Sequence, residues 1–233
     1  RMVGSEDPEY SVGVEEAFGA QLEMFGYAAE LAGQRQREPR DDIMTTLLQA
    51  EVDGDKLTEM EFNLFFMLLS VAGNETTRNA ITHGMNAFLD HPDQWDLLHD
   101  DVAGHLPGAT EEVLRWASPV MYFRRNVTHD TTLSGVDFKA GDKVSIWYCS
   151  ANRDEDVFDD PFRFDIERSP NDHLAFGGGG PHFCLGSSLA RMEIRVLFEE
   201  LAERVKRVER AGEPAPLRSN FIGGIKHLPV RFA

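Results

Sequence analysis

The sequence predicts a mainly α protein with small β-sheets. Three observations carry this. Apolar residues recur near a 3.6-residue period over 14–37 and again over 185–210. A proline-free run extends from Thr58 to about Asp90. Between Val120 and Cys149, by contrast, β-branched and aromatic residues cluster between short turn signals.

Taken in order, Phe18, Leu22, Phe25, Ala28, Ala29, Leu31 and Ala32 form the apolar stripe of a first helix, which Pro39 closes. A shorter helix over Asp41–Ala50 carries Ile43, Leu47 and Leu48, and Asp53-Gly54-Asp55 makes a turn. Thr58 with Glu61 three residues on is a capping box that opens the long run. That run is apolar nearly all round between Phe62 and Ala72, so it predicts a central, buried helix about 50 Å long. His91-Pro92 ends it. Short helices are expected over Asp93–Val102 and Gly108–Trp116, the second stopped by Ser118-Pro119. Short strands follow, broken at Ser134-Gly135 and Ala140-Gly141-Asp142, and residues 152–172 make an irregular loop. Gly177–Pro181 forbids regular structure, a helix is expected over Leu185–Arg210, and the tail from Phe221 to Phe232 has room for one hairpin around Gly223-Gly224.

Composition narrows the function. With 40 acidic and 23 basic side chains the net charge is −17, which argues against nucleic-acid or anionic-membrane binding. At 42% hydrophobic residues the chain is too apolar for a disordered acidic tail, and 2 cysteines make no disulfide scaffold. No stretch approaches the ~20 apolar residues of a membrane span. The chain begins Arg1-Met2-Val3 with no leader-like segment, and the expectation is a piece cut from a larger protein.

Four segments bear on chemistry. In Phe176-Gly-Gly-Gly-Gly-Pro-His182-Phe-Cys184-Leu-Gly186, glycines let the backbone approach something flat or anionic, and Cys184 stands just before a helix, whose dipole favours negative charge on sulfur. That suits an axial thiolate on haem iron. A phosphate loop would need Gly-Lys-Ser/Thr, which is absent, and a zinc site would need ligands beyond His182 and Cys184, with Cys149 the other thiol. Ala72-Gly73-Asn74-Glu75-Thr76 interrupts the long helix with a small residue and an acid–alcohol pair. It suits either a helix touching a cofactor face and relaying protons, or a Gly/Thr kink with Glu75 reaching solvent. Glu112-Val-Leu-Arg115 is an i,i+3 ion pair, ordinarily worth a few tenths of a kcal/mol, and Pro161-Phe-Arg163-Phe is weaker still.

In this order the four segments resemble the signatures of the cytochrome P450 family, and the resemblance spans essentially all 233 residues. It implies the C-terminal portion of the cytochrome P450 fold, a single incomplete haem-thiolate monooxygenase domain over 1–233 whose N-terminal part lies outside this chain. By that resemblance Cys184 is the proximal ligand of haem b (iron protoporphyrin IX), with Phe176, Gly178 and Gly186 shaping its loop. Arg125 and His182 match holders of the haem propionates. Ala72 and Gly73 match the place where oxygen sits, Glu75 and Thr76 the acid–alcohol pair that delivers protons, and Glu112, Arg115 and Arg163 a structural triad. The implied reaction inserts one atom of O2 into an unactivated C–H bond, with electrons from a ferredoxin and its reductase. Phe66, Leu69, Ser70, Val120, Met121, Tyr122, Phe221 and Ile222 are candidate walls for a hydrophobic small-molecule substrate; each also suits ordinary core packing.

One departure sharpens the resemblance. Phe176 stands eight residues before Cys184 rather than seven, because the loop has a fourth glycine. This is similar to actinobacterial members that hydroxylate sterol side chains and methyl-branched lipids at the terminal carbon. Val71–Asn79, Arg115–Val120, Trp147–Arg153 and Gly224–Pro229 match the same subset. The expectation is a cytoplasmic bacterial enzyme. A peroxide-driven hydroxylase, against which Glu75-Thr76 argues, and a non-catalytic haem-binding or structural remnant are the alternatives.

Overall fold

The computed structural model describes residues 4–11 and 13–233; the opening Arg1-Met2-Val3 read above lies outside them. The chain divides into two compact units, Arg1–Glu75 and Thr76–Ala233.

In the first unit, α1 (Val14–Arg37) and α2 (Ile43–Gln49) precede a two-stranded hairpin, β1 (Glu51–Val52) with β2 (Asp55–Lys56). The first part of α3 (Glu59–Asp90) completes it. The capping box is made: Thr58 N–H donates to Glu61 at 2.9 Å, and the Glu61 N–H donates back to the Thr58 hydroxyl at 3.3 Å. Asp42 caps α2, accepting the Thr45 N–H at 2.8 Å and pairing with Arg35. Ala28, Met44 and Phe62 form a small core with Leu31, Ala32, Leu47, Leu48 and Phe66 around it. The expected stripe on α1 is thus used only in its second half, while Phe18 and Leu22 are exposed. Nor is α3 buried between Phe62 and Ala72 as expected. Leu64, Leu68, Ala72, Gly73 and Asn74 are exposed, and α3 is most buried beyond Thr76.

The second unit has the larger core. Phe88, on the last turns of α3, is edge-on to Trp95 and Phe164 at 5.4 and 5.2 Å and tilted to Phe198 at 5.3 Å. Burying a ring of this size contributes roughly 1.5–3 kcal/mol. Around it stand α4 (Pro92–Asp100), α5 (Val102–Ala117) and α7 (Ser187–Arg204), and α6 (Tyr148–Ala151) is a single turn. The α5 helix starts six residues earlier than expected and holds Pro107 in its interior. Asp101 caps it through the Gly104 N–H at 3.0 Å. Burial of Leu106, Ala109, Val113 and Leu114 outweighs the one hydrogen bond that the proline forfeits.

The strands pair locally. β3 (Tyr122–Asn126) joins β6 (Lys143–Trp147), and β4 (Thr131–Leu133) joins β5 (Val136–Phe138) through the left-handed pair Ser134-Gly135. Two expectations fail near the C-terminus. The α7 helix ends at Arg204, because β-branched Val205 and Val208 open a strand, β7 (Val208–Arg210), that finds a partner in β10 (Val230–Phe232). There is also no hairpin around Gly223-Gly224. β8 (Ala215–Pro216) pairs with β9 (Ile225–His227), and Gly224 instead passes so close to the buried Asn79 that a Cβ would lie 2.7 Å from its Oδ1.

The irregular loop over 152–172 is organised by one buried ion pair. Glu112 and Arg115 are both fully buried, and Arg115 grips the carboxylate with two bonds of 2.7 Å. Glu112 also accepts from the Asp165 N–H at 3.0 Å, from Asn171 at 3.0 Å and from Arg168 at 3.2 Å. Arg115 spends its remaining donors on the carbonyls of Asn152, Pro161 and Arg163 at 2.7, 2.9 and 3.1 Å. Here the expected triad needs correcting. The third side chain is Arg168, not Arg163; Arg163 is exposed and contributes its carbonyl oxygen, which also accepts from Arg168 at 2.9 Å. A turn, closed by the Arg168 N–H on the Asp165 carbonyl at 3.1 Å, separates the two arginines.

Three outcomes test this account. Glu112→Gln leaves a buried guanidinium without its counter-charge and lowers stability by about 3–5 kcal/mol in a urea melt, whereas Arg163→Ala changes it by no more than roughly 0.5 kcal/mol. Gly108→Ala, which helix propensity alone would make stabilising by about 1 kcal/mol, destabilises instead by about 1–3 kcal/mol, since its Cβ would fall 2.2 Å from the Ile166 carbonyl oxygen. The Asp42 carboxyl is lowered from 3.8 to about 2 by the Thr45 N–H first and by Arg35 next. A folded-state value below the unfolded one means stability that is present above about pH 4 and lost as pH falls toward 2. Asp42→Asn flattens that part of an acid titration followed by circular dichroism.

Candidate active site

The loop around Cys184 is anchored at its entry by the buried Asn152. This side chain accepts the Leu174 N–H at 2.7 Å and donates to the Ser118 hydroxyl at 2.8 Å, while its carbonyl receives Arg115. Ser118 itself is held in the left-handed region, φ 38°, where it stops α5. The loop is therefore tied directly to the Glu112–Arg115 pair.

From Leu174 the chain turns through a Gly177 N–H bond to the Leu174 carbonyl, 2.9 Å. Gly177, Gly179 and Gly180 have φ of 91°, 96° and 76°, a conformation that side chains strain to adopt. Gly178, the glycine singled out from the sequence, does not have positive φ, and a Cβ there would meet only Leu174, at 3.9 Å. The far side closes when the Cys184 N–H donates to the Phe176 carbonyl at 3.0 Å. The Ser187 N–H then donates to the Cys184 carbonyl at 3.2 Å as α7 begins. The Cys184 thiol is exposed and unpaired with Cys149. It is flanked by the exposed side chains of Phe183 and Leu185, and Gly186 keeps its surroundings clear, since a Cβ would approach Sγ to 4.0 Å.

Beside this loop lies a second ionic group that the sequence reading passed over. Glu111, next to Glu112, receives both arms of Arg191 at 2.7 and 2.9 Å and the Nε2–H of His173 at 3.0 Å. His173 Nδ1 accepts the Ala175 N–H at 3.2 Å, so the two bonds together select the Nε2–H tautomer. Burial, the largest single influence on Glu111, pushes its carboxyl up. The bonds from His173 and Arg191 and the Arg191 charge outweigh it and hold the carboxyl at about 2. Neither Glu111 nor Arg191 carried a sequence signal beyond a mixed-charge helix face.

The candidate walls in the second unit are brought together. Val120 bridges Ile222, the Met121 N–H donates to the Phe221 carbonyl at 3.0 Å, and the Tyr122 ring lies 4.7 Å from Trp147 and 6.3 Å from Phe221. Ile222 is buried, the others half-buried. Arg125 is exposed, donates to the Arg124 carbonyl at 3.1 Å and has no hydrogen bond to His182, also exposed. In the first unit, Phe66 packs on the Ala28–Met44–Phe62 core, so the packing reading holds there, and the Ser70 hydroxyl donates to the Phe66 carbonyl at 2.8 Å. Leu69 and Glu75 are half-buried on α3, and Thr76, also half-buried, opens the second unit.

The donor set fits haem better than a bare ion. Among the described residues no group of three or more His, Cys, Asp and Glu side chains could hold a metal. Cys184 offers a single sulfur beside apolar side chains, which suits a metal that brings its other equatorial ligands in a flat macrocycle. Among the described residues, no helix is long and apolar enough to cross a membrane.

Comparison with known proteins agrees with this chemistry. The family model described as Cytochrome P450 matches residues 16–207. The chain is 51% identical over 232 residues to a methyl-branched lipid omega-hydroxylase of Mycobacterium tuberculosis, covering 100% of this chain and 54% of the relative. It is 48% identical to a steroid C26-monooxygenase of Rhodococcus jostii, covering 100% of this chain and 48% of the relative. A Mycobacterium marinum cytochrome P450 in complex with pseudoionone matches with a TM-score of 0.94 at 43% identity, over 99% of this chain and 56% of that one. The chain spans about half the length of the curated relatives it matches. It belongs to the cytochrome P450 family, whose fold it carries in part.

Proposed function

We propose that this chain carries the thiolate side of a monooxygenase that hydroxylates an unactivated C–H bond of a hydrophobic small molecule, at the terminal carbon of a methyl-branched lipid or a sterol side chain. The observation that supports it most is the Cys184 loop, closed by the bond from Cys184 N–H to the Phe176 carbonyl and leaving the thiol exposed among apolar side chains. The two relatives named above support the substrate class.

In this reading Cys184 holds haem b through its sulfur, and Arg125 and His182 hold the group's carboxylates. The haem, when bound, supplies activation of O2 with two electrons from a ferredoxin and its reductase. The protein supplies the rest. Glu75 and Thr76 hold and pass protons on α3, while the small Ala72 and Gly73 leave room beside them. Val120, Met121, Tyr122, Phe221 and Ile222 exclude water and orient an apolar chain. The setting is the bacterial cytoplasm. Because the chain spans about half of its relatives, the 233 residues alone bind haem weakly.

Hemin in excess, followed by reduction under CO, gives the absorption band of thiolate-ligated haem in the wild-type chain, and Cys184→Ser abolishes it. An unchanged spectrum in Cys184→Ser removes that residue as the ligand. The 233 residues alone are expected to turn over nothing. In a full-length protein that contains them, loaded with haem and supplied with ferredoxin and reductase, methyl-branched fatty acids and cholestenone yield terminal alcohols, and internal hydroxylation of both defeats the substrate assignment.

A further inference from the structure

We propose that Arg191 is the positioning residue of the Cys184 loop, acting through the ring of Phe176 and held in place by Glu111 and His173. The role rests on the reading of Cys184 as the haem ligand, but the geometry that supports it does not involve the haem.

Arg191 lies in the second turn of α7, the helix that Cys184 leads into. Its guanidinium is fixed in direction, because the Glu111 carboxylate takes Nε at 2.7 Å and Nη2 at 2.9 Å, a fork that a point charge could not define. The carboxylate is fixed in turn by His173, whose side chain is 3% exposed. With its edge committed to Glu111, the guanidinium lays its carbon 4.6 Å from the centre of the Phe176 ring. On its other contacts, Phe176 meets Phe183 at 6.5 Å and His173 at 6.2 Å.

Phe176 and Phe183 are the two residues that matter for the sulfur. Phe176 presents the carbonyl that receives the Cys184 N–H, and Phe183 immediately precedes Cys184. Between them run Gly177, Gly179 and Gly180 in left-handed conformations, with nothing within 4 Å of where a Cβ of Gly179 or Gly180 would lie. Side-chain packing at those two glycines is therefore slight. The stretch is held by the Phe183 N–H on the Gly180 carbonyl at 3.0 Å and by its two ends, and both ends meet at the Phe176 ring that Arg191 covers. Glu111 and Arg115 thus divide the work of α5, one reaching to α7 and the thiol loop, the other to the loop over 152–172.

Amide hydrogen exchange by mass spectrometry on the 233-residue chain, without haem, tests this. In Arg191→Leu the peptide covering 176–187 is expected to exchange roughly tenfold faster or more, while the α7 core around Ile194–Ala202 stays within about twofold of wild type. Arg191→Lys is expected to fail as well, because it keeps the charge but loses the fork and the plane; Glu111→Gln shows the same loosening to a smaller degree. Arg195→Leu, one turn further on the same helix, changes nothing. Unaltered loop exchange in Arg191→Leu overturns the positioning role, as does complete rescue by Arg191→Lys, or acceleration that covers α7 equally. A parallel hemin–CO titration separates the two proposals. No thiolate band in wild type sinks the haem reading while the exchange result stands, and a band in wild type that weakens in Arg191→Leu supports both.

Discussion

The buried Glu112–Arg115 pair is the interaction on which the second unit depends. An isolated ion pair without water would be costly, since both charges lose hydration. Here the cost is met by completeness: the carboxylate accepts from two arginines, an asparagine and a backbone amide, and the guanidinium reaches three carbonyls. A loop with no helix or sheet of its own is thereby given a fixed path, and Asn152, whose backbone carbonyl receives Arg115, ties that path through its side-chain Oδ1 to the Leu174 N–H, on the segment leading into the Cys184 loop. The path into the Cys184 loop follows from a charge pair that makes no hydrogen bond to Cys184.

Two adjacent carboxylates on one helix have been given different work by a single residue of helical rotation. Glu112 faces the interior and organises backbone; Glu111 faces the α7 side, half-buried, and organises side chains. The same local sequence therefore supports the loop from behind and from beside. The Cys184 loop is served by two struts, joined through the rigidity of α5.

Much of the fold was legible because it rests on local rules. The capping box at Thr58, the closure of α1 before Pro39, the turn at Ser134-Gly135 and the glycine loop all follow from chain stereochemistry within a few residues. The failures share a different origin. The helix expected from Gly108 begins at Val102, because tertiary burial of the neighbours of Pro107 carries it through the proline. The C-terminal strands were misjudged because the partner of Val208–Arg210 lies at 230–232, and no local pattern discloses that choice. Nothing local separates Arg163 from Arg168, which share one short loop; the turn between them, closed by the Arg168 N–H on the Asp165 carbonyl, and the distant Glu112 decide which side chain faces inward. Asn152, Glu111 and Arg191 were overlooked as structural anchors for a similar reason: their importance lies in partners distant in sequence. The irregular loop before α7 was legible because its signal, a run of glycines followed by a helical period, is wholly local.

The loop over 152–172 is held chiefly through its carbonyl oxygens: those of Asp159, Asp160, Pro161 and Arg163 all accept from Arg115 or Arg168. A backbone oxygen is the same whatever residue bears it. Of the four, the side chains of Asp159 and Arg163 are exposed and not at positive φ, so evolution can rewrite what they display, sign of charge included, without altering the contour; Asp160, exposed at φ 46°, is confined to residues that accept a left-handed backbone. Shape and message have been assigned to different atoms of the same residues.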